Sequence, residues 1–197
     1  RRLINENEDF SVQLVEDKAS NGYLQIITAI ACNDPAIMRR FVTDEVFKKV
    51  MARMTGGTVA YNRIYLNDVY LVGVSESDKL NNLYVAVKSS SQRISIENKR
   101  VKIIDRVLIS GTEIIVISRD RNAAASKGSI YAHICASCGA PVQNSLNLKC
   151  NYCDMPLNST NNEWIITDLM SVSEYNSFRS GNRQSFGYDV DPAMIDK

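Results

Sequence analysis

Four of the five cysteines crowd into one short stretch, CASCGAPVQNSLNLKCNYCDMPL, residues 135–157. Their spacing is Cys135-x2-Cys138-x11-Cys150-x2-Cys153. A Cys-x-x-Cys turn places two thiolates on one side of a tight loop. Two such turns facing each other make a tetrahedral sulfur cage, the geometry zinc accepts. The flanks repeat as well: CASCGAPV and CNYCDMPL align as C-x-x-C-(G/D)-x-P-(V/L). The residue after each second cysteine is placed where positive φ is needed. Gly139 adopts that without cost, and Asp154 is one of the few other types that tolerate it. The doubled pattern predicts a zinc ribbon with Cys135, Cys138, Cys150 and Cys153 as ligands. Paired disulfides need an oxidising compartment. A thioredoxin-like motif accounts for one pair and not for both. A four-cysteine iron–sulfur site is the remaining alternative.

Four thiolates close the shell, whereas a catalytic zinc keeps an open position for water. The Zn2+ is therefore read as structural, tying down a segment too poor in apolar side chains to fold alone. His133, the only histidine, is read as a strand-end residue beside the ribbon. Cys32, in an apolar helical stretch, is read as a small buried hydrophobe.

The 197 residues suffice for one good core plus a small insert. Hydrophobic residues make up 45% and charged residues 23%, and the net charge of +1 offers no basic surplus for nucleic acid. No apolar run approaches the ~18 residues of a membrane helix. The chain opens on Arg1 and Arg2 without an initiator methionine. Those arginines fit the flank of a preceding membrane helix, or a plain solvated terminus.

Residues 10–32 carry apolar side chains at helical spacing, with a break expected at Asn21-Gly22. Asp34-Pro35 and Thr43-Asp44-Glu45 are helix starts. Val46, Val50 and Met54 line one face of the second helix, which TGG at 55–57 should end. From residue 61 the period changes to two. RIYLNDVYLVGVSES, LNNLYVAVKSSSQRISI, KIIDRVLI and TEIIVISRD read as strands, GSIYAHI leads into the ribbon, and NEWIITDLM follows it. Helices first and an antiparallel meander after predict an α+β domain, with the helices packed on one face of a strongly curved, cone-like sheet. Three parts are expected: 1–134 with 158–170 as the main domain, 135–157 as the ribbon insert, and 171–197 as a polar tail or linker.

The stretch NDPAIMRRFVTDEVFKKVMARM resembles the helix signature of bacterial Tim-forty-four-like domains. CASCGAPVQNSLNLKCNYCDMPLNSTNNEWIITDL is similar to the zinc ribbon inserted late in many of them. The resemblance covers about residues 10–170. It departs at Asp154, where glycine is usual, and at the order of Glu163 and Trp164. It implies a cone-shaped fold of the nuclear-transport-factor-two superfamily with an apolar pocket. It also implies a role near a membrane surface and in recruiting a protein partner.

These readings point to a non-enzymatic zinc-binding scaffold in a reducing, cytoplasmic setting, at a membrane's inner face or inside a larger assembly. The basic group Arg39, Arg40, Lys48, Lys49 and Arg53 is the candidate contact for anionic lipid or an acidic partner. A solvated helix face is the plainer account. The alternatives are an enzyme or small-ligand binder using the cone pocket, with Asp68, Asp105 and Tyr70 as candidates, and nucleic-acid contact through the ribbon near Lys127, Lys149 and Tyr152. No small-molecule substrate is identified.

Overall fold

A computed structural model describes residues 11–54, 58–123, 134–135, 137–142, 147–161, 163–182 and 185–189. The chain begins with helix α1 (Val12–Cys32), a 3-10 turn (Pro35–Met38) and helix α2 (Asp44–Met51). Four strands follow: β1 (Val59–Glu76), β2 (Leu80–Glu97), β3 (Arg100–Ile103) and β4 (Ile109–Asp120). After the cysteine segment come β5 (Ile165–Ser171), helix α3 (Val172–Gly181) and β6 (Phe186–Asp189).

The sheet is antiparallel with order β5-β4-β2-β1-β6, and β3 continues beside the far end of β2. Three register shifts interrupt the β1–β2 ladder, at Tyr61/Arg63, Leu66/Asp68 and Leu71/Gly73. Each extra residue bends and twists its strand, which curves the sheet around the helices. The α+β class and the helices-on-sheet architecture expected from the sequence are what the fold shows.

The α1 side of the sheet carries the main core. Leu83, Val85, Val87, Ile115 and Ile117 meet Val15, Ala19, Tyr23, Ile26 and Ala29 of α1, with Met38, Val42, Val46 and Val50 behind them. Helix α1 is unbroken through Asn21-Gly22, contrary to the sequence expectation. Gly22 is there for close approach: a Cβ would lie 2.7 Å from Ile166 Cδ1. Helix α2 starts after Thr43 and ends at Met51, before the TGG segment, which lies outside the described residues.

The other side of the sheet is buried too. Val72, Tyr84, Ala86, Ile114 and Val116 pack under Tyr175 of α3, which is fully buried. Residues 171–182 and 185–189 fold rather than trail as a linker: they cap the sheet's second face and add an edge strand. Ser171 and Glu174 form a reciprocal cap that starts α3. The Tyr175 hydroxyl donates to the Val72 carbonyl at 3.3 Å, over Gly73, where a Cβ would lie 2.4 Å from the Tyr175 hydroxyl oxygen. Strands buried on both faces need continuous apolar runs, and LYVAV at 83–87 and IIVI at 114–117 are such runs.

Candidate metal centre

Each Cys-x-x-Cys turn is closed by the same backbone bonds. In the first, the Gly139 N–H donates to the Cys135 carbonyl at 2.9 Å and the Cys135 N–H to the Ala140 carbonyl at 2.8 Å. In the second, the Asp154 N–H donates to Cys150 at 2.9 Å and the Cys150 N–H to Met155 at 3.0 Å. Gly139 has φ 77° and Asp154 φ 56°, the left-handed backbone that the sequence repeat requires. Bridges Ile134–Pro141 and Lys149–Pro156 complete the match, so the internal repeat is a structural repeat.

The turns bring the four Sγ atoms within 4.8 Å of one another. Cys135 Sγ lies 3.8 Å from Cys153 Sγ, and Cys138 Sγ 3.7 Å from Cys150 Sγ. A tetrahedron of sulfurs with Zn–S bonds of ~2.3 Å has edges of ~3.8 Å. All four cysteines are free thiols. Cys135 and Cys150 are buried with Leu157 in a small cluster flanked by Ala140 and Val142. The Tyr152 N–H, with that of Cys153, pulls the Cys150 thiol down to about 7 against the effect of burial. At Cys153 the Met155 N–H pulls down as well. Burial and the thiols of Cys138, Cys150 and Cys135 outweigh it and push Cys153 up to about 12. One thiolate forms readily, but four at this distance need a cation among them. The donor set fits a metal ion and leaves no protein-free position for substrate.

The ribbon rests against the main domain across a seam holding a cavity of about 30 Å³. Cys135, Ser137 and Pro156 line it from the ribbon, and Lys18, Arg40 and Glu163 from the body. Lys18 Nζ pairs with Glu163 Oε1 at 2.5 Å. Burial lowers the Lys18 ammonium, while the Glu163 charge pulls it back up. Arg40 is 6% exposed, and its buried Nε has no hydrogen-bond partner among the described residues. Burial pulls its guanidinium below the ordinary value, and the negative charges of Glu163, Cys135 and Cys150 oppose that.

Three members of the expected basic contact group pair with carboxylates while keeping part of their side chains in solvent. Arg39 pairs with Asp44 at 2.5 Å and lies 4.7 Å over the Phe47 ring. Lys49 bonds Asp168 at 3.1 Å and donates to the Leu169 carbonyl, and Arg53 pairs with Glu113 at 2.6 Å. Arg40 is buried at the seam, and Lys48 stands exposed. Cys32 is exposed rather than buried, because it sits on the last, outward-facing turn of α1. His133 and Lys127 lie outside the described residues; Lys149 and Tyr152 are exposed on the ribbon.

A second cavity, about 180 Å³, lies between α1 and the sheet, lined by Tyr23, Ile26, Arg53, Tyr61, Ser89 and Glu113. None of Asp68, Asp105 and Tyr70 lines it. Asp68 is solvent-facing, and Tyr70 packs in the α3-side cluster. Asp105 accepts from Arg93 Nε and Nη2 at 2.8 and 2.9 Å and from the Arg93 N–H at 3.0 Å. Those bonds hold its carboxyl down at about 2.

That Arg93–Asp105 lock pins a feature the sequence reading did not single out. Beyond the body, β2, β3 and the turn into β4 form a tip with Ile96, Val101, Ile103, Ile104, Val107, Leu108 and Ile109 exposed. Val107 reaches 66%. Ile94 pairs with Ile103 and Ile96 with Val101, which puts four β-branched side chains on one face. Ser95, Glu97, Arg100 and Lys102 take the other. The run VKIIDRVLI carries this apolar surplus openly.

No protein-family model matches the chain, and no curated protein matches it. Among solved structures, the crystal structure of the intermembrane space region of the chloroplast protein ARC6 overlays with a TM-score of 0.46 and 10% identity. The overlay covers 82% of this chain and 96% of that one. A likeness at that level transfers no function, and the Tim-forty-four-like resemblance gains no family match beside it.

Proposed function

We propose that this protein is a non-enzymatic binding module: an α+β domain braced by a structural Zn2+ at Cys135, Cys138, Cys150 and Cys153, which meets a protein partner through its apolar tip. The observation that carries the binding role is the tip itself. Val101, Ile103 and Val107 are 63–66% exposed on a segment locked by Arg93 and Asp105. Contiguous aliphatic surface held out in water is what a contact surface looks like before its partner arrives. The closed four-sulfur cluster supports a bracing metal over a catalytic one. Four free thiols in contact suit a reducing compartment. A second reading is an anionic membrane surface, favoured by the exposed Lys99, Arg100, Lys102 and Arg106 interleaved with those side chains.

The test is a Val101→Asp/Val107→Asp double variant, compared with wild type in native pull-downs from the protein's own cells and in flotation with anionic and neutral vesicles. The variant should keep its fold and lose a reproducible partner. A partner set unchanged by the variant overturns the tip as the contact. Loss of anionic-vesicle binding without any change in protein partners moves the reading to the membrane.

A further inference from the structure

The seam poses an electrostatic problem. Among its charged side chains, Lys18 and Glu163 satisfy each other at 2.5 Å. That leaves Arg40, 6% exposed, with a buried, unpartnered Nε in a cavity that Cys135 also lines. Glu163 offsets part of the Arg40 charge but already bonds Lys18, so two cations share one carboxylate at the seam, and a surplus buried cation is costly. Across the cavity stands a group with the opposite problem: one divalent ion held by four thiolates carries a net negative charge that its surroundings must offset. The cavity, about 30 Å³, has room for about one water between the two.

We propose that Arg40 is the counter-charge of the metal–thiolate centre, a positioning residue that joins ion binding in the ribbon to docking of the ribbon on the body. The inference rests on the metal reading above. Arg40 touches no ligand lone pair that the ion needs, so it acts on the ion through charge and not through coordination. It is delivered to the seam by the turn after Pro35–Met38. Val42, two residues on, bridges to Ile166, and the Thr43 N–H donates to the Ile166 carbonyl at 3.0 Å. The backbone that carries Arg40 is thus tied to the strand that follows the ribbon.

The roles of cation and anion are reciprocal, and this gives a signature that plain packing lacks. With the ion bound, Arg40 faces a net negative centre; with the ion stripped, that centre loses most of its charge and Arg40 keeps chiefly the Glu163 carboxylate that Lys18 already shares. Arg40→Met and Arg40→Lys are compared with wild type as zinc-loaded and chelator-stripped full-length chains. The readouts are zinc competition with a chromophoric chelator and thermal melting. R40M should bind zinc about 10–100-fold more weakly, the usual size of an effect from outside the ligand shell, with R40K in between. R40M should also melt below wild type when loaded and at or above it when stripped. If wild type takes up stoichiometric zinc and R40M holds it as tightly, with the same melting difference in both states, Arg40 is ordinary packing and the inference fails alone. If wild type takes up no zinc, the metal reading fails and the inference with it. Should R40M not fold, R40K decides: retained charge must retain most of the affinity.

Discussion

The ribbon and the strand tip both stand largely outside the main core, and they keep their shape by opposite means. Among its described residues the ribbon buries three, two of them cysteines, around four sulfurs placed as a metal site would need them. The tip is held by backbone pairing and an ion pair. Its ladder runs on from β2, Arg93 clamps Asp105, and its apolar side chains face outward. One region turns its reactive groups inward, and on the proposed reading a metal ion holds it. The other is held by its own ladder and ion pair and turns its apolar groups outward. The ribbon therefore reads as a brace and the tip as a contact.

The comparison breaks most severely at the cysteines. Cys138→Ser, or chelation, removes an ion whose binding is worth on the order of 10 kcal/mol in small zinc domains. Amide signals of the ribbon should collapse, while helical circular dichroism and the signals of β2 and β4 persist. Collapse of the whole domain would make the ribbon a core element and not an insert. Gly73→Ala comes next. The added methyl meets the Tyr175 hydroxyl and Phe186, so α3 must lift from the sheet, at about 1–3 kcal/mol. Chemical denaturation should show the loss, with the ribbon's metal content unchanged. Smallest is the tip: Val107→Asp, already solvent-facing, should shift folding stability by no more than ~0.5 kcal/mol. A larger loss in the same denaturation experiment would show the tip to be structural.

Legibility followed the range of the interaction. The cysteine cluster was readable because its information is local: two short repeats fix the turns, and the turns aim the thiols. The starts at Asp34-Pro35 and Thr43 were readable for the same reason, although only Asp34 caps through its side chain, accepting from the Ala36 N–H. Gly22 was misread because its partner, Ile166, lies far along the chain, and helix propensity says nothing of a close approach. The pairing within the basic group was equally invisible. Lys49 and Arg53 find Asp168 and Glu113, distant carboxylates that no helical spacing predicts. The C-terminal segment was a missed opportunity. Ser171-x-x-Glu174 is a capping pattern, and the unbroken runs LYVAV and IIVI already implied a second covered face. The polar composition of 171–189 concealed it, since α3 needs only Tyr175 and its aromatic neighbours to dock.

The most direct test of the account is native mass spectrometry of the full-length wild-type protein, purified without added metal, beside Cys138→Ser. The account predicts one zinc ion per wild-type chain and none held stably by the variant. Metal-free wild type, two disulfides, or equal zinc in both chains would contradict it.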